Sequence, residues 1–264
     1  MTSFKVKSIV AVVALAAAAS ASAGEILIVS GLSGSSEPGT TTEVLDNLKS
    51  LHTAVGNNVT VSDLLPADLS GFKQVWDIRF DQALNANAQS GYTSFLQAGG
   101  GLFLMGENAG FMSRNDSILS LISSLGGGAI GFADCSSSVQ TVNVPFNGPN
   151  AVTSVAFAAP GCFDNSGTGQ WISSTSSGSS ILGSGIAFGV GSLSNAMTGA
   201  LTSILDVNFM QGVYDQPASQ NLTKNLIGFV GDQVDPVNPV PEPGTLMLAG
   251  LAAVGALASR RKAA

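Results

Sequence analysis

Apolar and polar positions alternate along the middle of the chain with two distinct periods. Residues 25–30, EILIVS, form an unbroken apolar run that stops at a glycine-rich stretch, 31–40. A strand buried on both faces of a parallel sheet has this form. From 42 to 55, Val44, Leu45, Leu48, Leu51 and His52 recur at helical spacing, and Thr41 or Thr42 is available as N-cap. The same reading predicts strands at 59–61, 75–79 and 102–105. It predicts helices at 89–97, ended by Gly99, Gly100 and Gly101, and at 114–125, with Ile118, Leu119, Leu121 and Ile122 inward. Strands alternating with helices at this spacing imply right-handed crossovers and a parallel sheet covered on both faces.

The pattern changes over about 126–184, where Gly, Ser and Asn dominate and short alternating stretches such as 139–144 (VQTVNV) appear. These read as antiparallel strands and loops added to the sheet edge. A buried strand returns at 201–207, and a helix over 220–230 buries Leu222, Leu226 and Val230. The expected fold class is therefore α/β, with a parallel sheet and an irregular, partly antiparallel edge insertion. One domain over 24–231 accounts for all of it, followed by a Pro- and Asx-rich linker at 232–239.

Both ends break the pattern. Residues 1–23 have a basic start with Lys5 and Lys7, an apolar run and the small-residue site Ala21-Ser22-Ala23, the three parts of a secretory signal peptide. At the far end, Val240-Pro241-Glu242-Pro243-Gly244 precedes an apolar run, 245–259, and then Arg260, Arg261 and Lys262. The prolines hold Glu242 in extended, accessible chain, and the apolar run has the length of a short membrane helix with its basic end inside. Pro241, Glu242 and Pro243 followed by this helix and basic end resemble the PEP-CTERM sorting signal. The resemblance implies export by the secretion machinery and processing by an exosortase-type enzyme. It also implies a cell-envelope or extracellular location, with transient anchoring, in a bacterium that often makes exopolysaccharide.

Charge narrows the partners. Charged residues are only 10% of the chain, against about 25% in ordinary soluble proteins. Between 24 and 240, five basic side chains face sixteen acidic ones, a formal charge of −11. Such a surface repels nucleic acid, which excludes that class of partner, and favours cations or neutral sugars. Cys135 and Cys162, the only cysteines, lie in the irregular region of an exported chain and are expected to form a disulfide.

Ligands of open parallel sheets bind beyond the carboxyl ends of the strands. That edge should gather Ser30 and Gly31, Asp77 and Arg79, Glu107 and Asn108, and Asp206 and Asn208. Glu107 and Asp206 have the chemistry of an acid and base pair, or, with Asn208, of an oxygen-ligated calcium site. The alternative is that these residues cap and brace, with Arg114 pairing with Glu107 or Asp116. No other cofactor is expected. Residues 31–36 follow a strand and are glycine-rich, but they lack the lysine of a P-loop and read as a flexible turn. His52 reads as a packed or surface residue. Trp76, Trp171 and Tyr214 read as core, with a sugar-stacking platform as the alternative.

Residues 92–107, YTSFLQAGGGLFLMGE, with the 201–209 strand and the 221–230 helix, resemble the class I glutamine amidotransferase-like fold, a flavodoxin-like three-layer domain. Enzymes of that family carry a nucleophilic Cys on the turn after the core strand, with a His and a Glu elsewhere. Here that turn reads Gly106-Glu107-Asn108, and the one histidine lies in the first helix. The resemblance therefore implies the fold without amidotransferase chemistry. Three functions stay open: a non-catalytic binding or structural domain sorted to the surface, a carboxylate-dependent hydrolase acting on exopolysaccharide, and, from the acidic charge, a calcium-stabilised adhesin.

Overall fold

The structure is a computed structural model and describes residues 25–135 and 137–234. The signal peptide at 1–23, the sorting motif with Pro241, Glu242 and Pro243, and the apolar run 245–259 lie outside those residues. No helix among the described residues is long and apolar enough to cross a membrane.

Five strands run parallel in the order β2-β1-β3-β4-β11. They are β1 (Glu25–Val29), β2 (Asn58–Ser62), β3 (Gln74–Asp77), β4 (Gly101–Gly106) and β11 (Ala200–Leu205). This is the flavodoxin-like order, in which the first strand is central and the chain winds outward in both directions. Two helices cover each face. Ile26, Ile28, Trp76, Phe103 and Met105 meet α1 (Pro38–Ala54) and α4 (Ala218–Val234) through Val44, Leu48, Leu222 and Leu226. Leu27, Val29, Val75, Leu102 and Leu104 meet α2 (Ala86–Gln97) and α3 (Met112–Ser124) through Tyr92, Phe95, Ile118 and Leu121. Successive residues of each strand serve opposite cores, which explains the unbroken apolar runs in the sequence.

Local chemistry sets the helix boundaries. The first helix starts at Pro38, four residues before the expected position, because a proline at the first helical position loses an amide that would have no partner anyway. Thr41 and Thr42 are not caps. Their hydroxyls donate back to the carbonyls of Glu37 and Pro38 inside the first turn. The second helix is capped by Asn85, whose Oδ1 accepts from Ala88 N at 2.9 Å. The last helix continues to Val234, into the stretch that reads as linker in the sequence. Its end packs on the start of β4, where a Cβ on Gly101 would come within 2.5 Å of Val230 Cγ1.

The Gly- and Ser-rich region forms β5 (Phe132–Asp134), β6 (Val139–Val142), β7 (Ser154–Ala156), β8 (Gly161–Phe163), β9 (Gln170–Ser177) and β10 (Ser180–Phe188). These strands extend the sheet antiparallel beyond β11 in the order β10-β9-β6-β7, and β5 and β8 pair off this path. The last of them runs past 184 and is buried from Gly183 to Phe188 beside β11, so this part of the region belongs to the sheet itself. Cys135, just after β5, and Cys162 in β8 form a disulfide that closes a sequence separation of 27. Gln140 fills the space beside it: its Oε1 accepts from Ser173 Oγ and Ser184 N, both at 3.0 Å, and its Nε2 donates to Ser184 Oγ at 2.6 Å.

Candidate functional site

Asp77, Arg79, Glu107, Asn108, Asp206 and Asn208 all lie at the carboxyl edge of the parallel sheet, as parallel topology requires, and Arg114 reaches it from α3. Register sets Gly106 beside Leu205, so Glu107 and Asp206 leave neighbouring strands side by side. Both are buried. Glu107 Oε1 accepts from the backbone N and side-chain Nδ2 of Asn108, each at 3.0 Å, and Oε2 accepts from Val207 N at 2.7 Å. Asp206 Oδ1 accepts from Phe209 N at 2.9 Å and Oδ2 from Ala158 N at 2.7 Å. Burial, then the Asp206 charge, pushes the Glu107 carboxyl up to about 7 against the amides of Val207 and Asn108. Burial likewise pushes Asp206 up to about 6 against the amides of Phe209 and Ala158.

The Asp77 carboxylate is built differently. Arg79 grips it in bidentate fashion, Nε on Oδ1 at 2.8 Å and Nη2 on Oδ2 at 2.7 Å. Tyr92 donates its hydroxyl to Oδ2 at 2.7 Å, and Arg114 Nη1 reaches the same oxygen at 3.3 Å. Burial alone would raise this group, but the Arg114 charge and the Arg79 hydrogen bond and charge outweigh it and hold it at about 2. Arg114 is fully buried and also donates from Nε to Met105 O at 2.8 Å and from Nη1 to Gln82 O at 3.1 Å. Its carboxylate partner is therefore Asp77, across the sheet, and neither Glu107 nor Asp116.

The remaining residues of this edge are also engaged. Asn108 Oδ1 accepts from Gly110 N at 2.8 Å, and Asn208 Nδ2 donates to Gln211 Oε1 at 2.8 Å. Asn115 braces the Glu107 backbone from both sides, accepting from its N at 3.1 Å and donating to its O at 2.7 Å. The turn at 31–36 is held by side-chain hydrogen bonds. Ser33 donates its amide and hydroxyl to Asp63, and Ser36 donates both to Asp81 at 2.5 and 2.6 Å. Gly31 sits at φ +60° with Arg79 Cγ 2.5 Å from where a Cβ would be, and Gln82 Nε2 donates to its carbonyl at 2.9 Å. The amides that might have cradled an anion thus serve the protein's own carboxylates.

Among the described residues no group of three or more His, Cys, Asp or Glu side chains is placed to hold a metal ion. Trp76 lies in the core of one sheet face, while Trp171 packs against the core of the other, so they do not form a stacking platform. His52 is buried edge-on against Trp76, with Asn57 Nδ2 3.0 Å from its Nδ1 and no partner on Nε2. Burial lowers it to about 3. A depression of about 790 Å³ lies at the opposite, amino edge, lined by Glu25, Leu69, Lys73, Phe95 and Val234 among others. Sequence reasoning missed Tyr92, Gln82 and Asn115 as polar braces. Tyr92 was legible only as a core aromatic, although its hydroxyl required a buried acceptor.

The architecture is thus that of a flavodoxin-like three-layer domain whose strand-end acids are satisfied internally. Residues 239–262 match the PEP-CTERM protein-sorting motif, which marks an exported, exosortase-sorted surface protein. No curated protein matches the chain. Among solved structures, the N-terminal domain of mmIFT52 is similar with a TM-score of 0.58 and 14% identity, over 78% of this chain and 96% of that one. A ThuA-like protein from Bacteroides uniformis ATCC 8492 aligns with a TM-score of 0.50 and 13% identity, over 83% and 96%. One from Parabacteroides merdae ATCC 43184 gives 0.50 and 10%, over 83% and 94%. At these identities the likeness shows the fold alone, and that fold fits the amidotransferase-like resemblance.

Proposed function

We propose that the chain is a component of the cell envelope or extracellular matrix whose α/β domain binds or builds and does not catalyse. The observation that carries this reading is the state of Glu107 and Asp206. Each carboxylate oxygen accepts a backbone amide inside the fold and both side chains are buried, which supports a bracing role. In this reading the Pro241-Glu242-Pro243 segment is presented to an exosortase-type enzyme while the 245–259 run anchors the exported chain transiently. The mature domain then resides among exopolysaccharide.

A second reading rests on a different observation. Glu107 and Asp206 are pushed up toward neutral pH, which is the range of a general acid. That reading makes the domain a hydrolase of exopolysaccharide once the caps open. One experiment separates the two. The purified chain is incubated with the host's exopolysaccharide, reducing ends are counted, and thermal unfolding is followed with and without the polysaccharide and calcium. The non-catalytic reading expects no reducing ends and an unfolding midpoint raised by the polysaccharide, by several degrees at about 100 times the dissociation constant. Reducing ends that appear with the parent chain and vanish in Glu107→Gln and Asp206→Asn would replace it with the hydrolase. A shift with calcium alone would add a cation site to the binding reading.

A further inference from the structure

The two outer edges of the sheet are treated differently. At one end β7 is only three residues long, and its outward amide at Ala156 is covered by the Asp215 carboxylate at 2.5 Å. At the other end lies β2, with no described strand beyond it. Natural sheets guard such edges with charge, proline or a bulge. Residues 58–62, Asn-Val-Thr-Val-Ser, contain no charge and no proline, and their register with β1 is unbroken. Ser30 N donates to Ser62 O at 2.9 Å, so the backbone groups of Ser62, Thr60 and Asn58 face β1. Those of Val59 and Val61 face outward, leaving two N–H and two C=O groups open.

This edge is complementary to itself. Read in either direction from Thr60 it is valine and then a small polar residue. We infer that β2 pairs antiparallel with β2 of a second copy of this chain, about a twofold axis at Thr60, to give one continuous sheet across the dimer. In that register Val59 lies opposite the partner's Val61 and exchanges both backbone bonds with it, and the twofold repeats the exchange. Thr60 meets the partner's Thr60 at the close, non-hydrogen-bonded position. Val61, 41% exposed, then packs opposite the partner's Val59 on one face of the joined sheet. The strand itself carries none of the domain's acidic charge. Asp63, the acid beside the strand, falls opposite the partner's Asn57, and its own carboxylate is held by Ser33.

The test uses the full chain in mild detergent, followed by sedimentation velocity and native mass spectrometry. The parent chain is expected to be a dimer. Val61→Pro removes an outward donor that the chain itself does not use, which an edge strand tolerates, and should weaken the dimer by about tenfold or more while far-UV circular dichroism stays unchanged. Thr60→Cys should cross-link to a covalent dimer on mild oxidation much faster than Ser180→Cys, which is exposed at the start of β10. A parent chain that sediments as a monomer overturns the inference, as does a dimer indifferent to Val61→Pro. Should Val61→Pro not fold, the cross-linking rates decide: equal rates at the two positions reject the β2 interface.

Discussion

Asp77 and the pair of Glu107 and Asp206 occupy the ends of three adjacent strands, and all three carboxylates are buried. Their charge states nevertheless diverge. Asp77 is held at about 2, Glu107 at about 7 and Asp206 at about 6. Burial acts in the same direction on all three, so burial does not explain the difference. Asp77 meets two guanidinium groups and a phenol, whereas Glu107 and Asp206 meet neutral amides and one another. An amide orients a carboxylate and lowers its pKa somewhat, but it supplies no net charge to offset lost hydration. One edge of one sheet therefore holds a brace ionised at neutral pH beside a proton-binding pair.

Removing a cation from the first cluster should have the largest effect. Arg114→Met leaves Asp77 buried with Arg79 as its one cation and is expected to cost roughly 3–5 kcal/mol, read from urea unfolding at neutral pH. A cost near zero would mean that Arg79 and Tyr92 suffice. The brace also has a pH signature. Because the folded pKa of Asp77 lies below its unfolded value, its stabilisation is present above about pH 4 and is lost as pH falls toward about 2. Arg114→Met should shrink that acid-side loss.

Tyr92→Phe removes one neutral donor from the same oxygen and should cost about 1–3 kcal/mol, measured the same way. If it costs as much as Arg114→Met, hydrogen bonding and not charge sustains Asp77, and the contrast drawn above fails.

The smallest net change is expected at the second cluster, where the sign reverses. Glu107 and Asp206 have folded pKa values above their unfolded ones. Their contribution is present below about pH 4 and is lost as pH rises through about 6 for Asp206 and about 7 for Glu107. Glu107→Gln should lie within about 1 kcal/mol of the parent at pH 7, since relief of the charge offsets poorer acceptance of the amides. Its stability should fall less steeply between pH 4 and 7. His52, lowered to about 3, acts in the opposite sense over part of that range, so the slope of the variant is compared with that of the parent. Equal slopes would show that Glu107 is ionised throughout and needs no proton.

Much of this edge was legible from local pattern. Once strands alternate with helices the strands run parallel, and residues following each of them share one edge, so Asp77, Glu107 and Asp206 could be grouped from their positions alone. The partner of Arg114 could not be found in that way. Nearness in sequence offered Asp116, and the nearest strand end offered Glu107, yet the guanidinium pairs with Asp77, 37 positions back, because β3 lies beside β4. The turn at 31–36 looked mobile for the same reason. Its anchors, Asp63 and Asp81, arrive from two other strand ends. Helix boundaries slipped where a residue signalled two things at once, as Pro38 did by lying within a glycine-rich stretch and starting a helix.

The sequence by itself determined what depends on neighbours along the chain: the strand and helix periods, the C-terminal sorting motif and the excess of acid. The tertiary structure decided which carboxylates are charged, which side chains hold the 31–36 turn and which edge is bare. Those properties depend on groups that meet through space from distant positions, and the free energy of a buried charge is set by the partners the fold brings within a few ångströms of it.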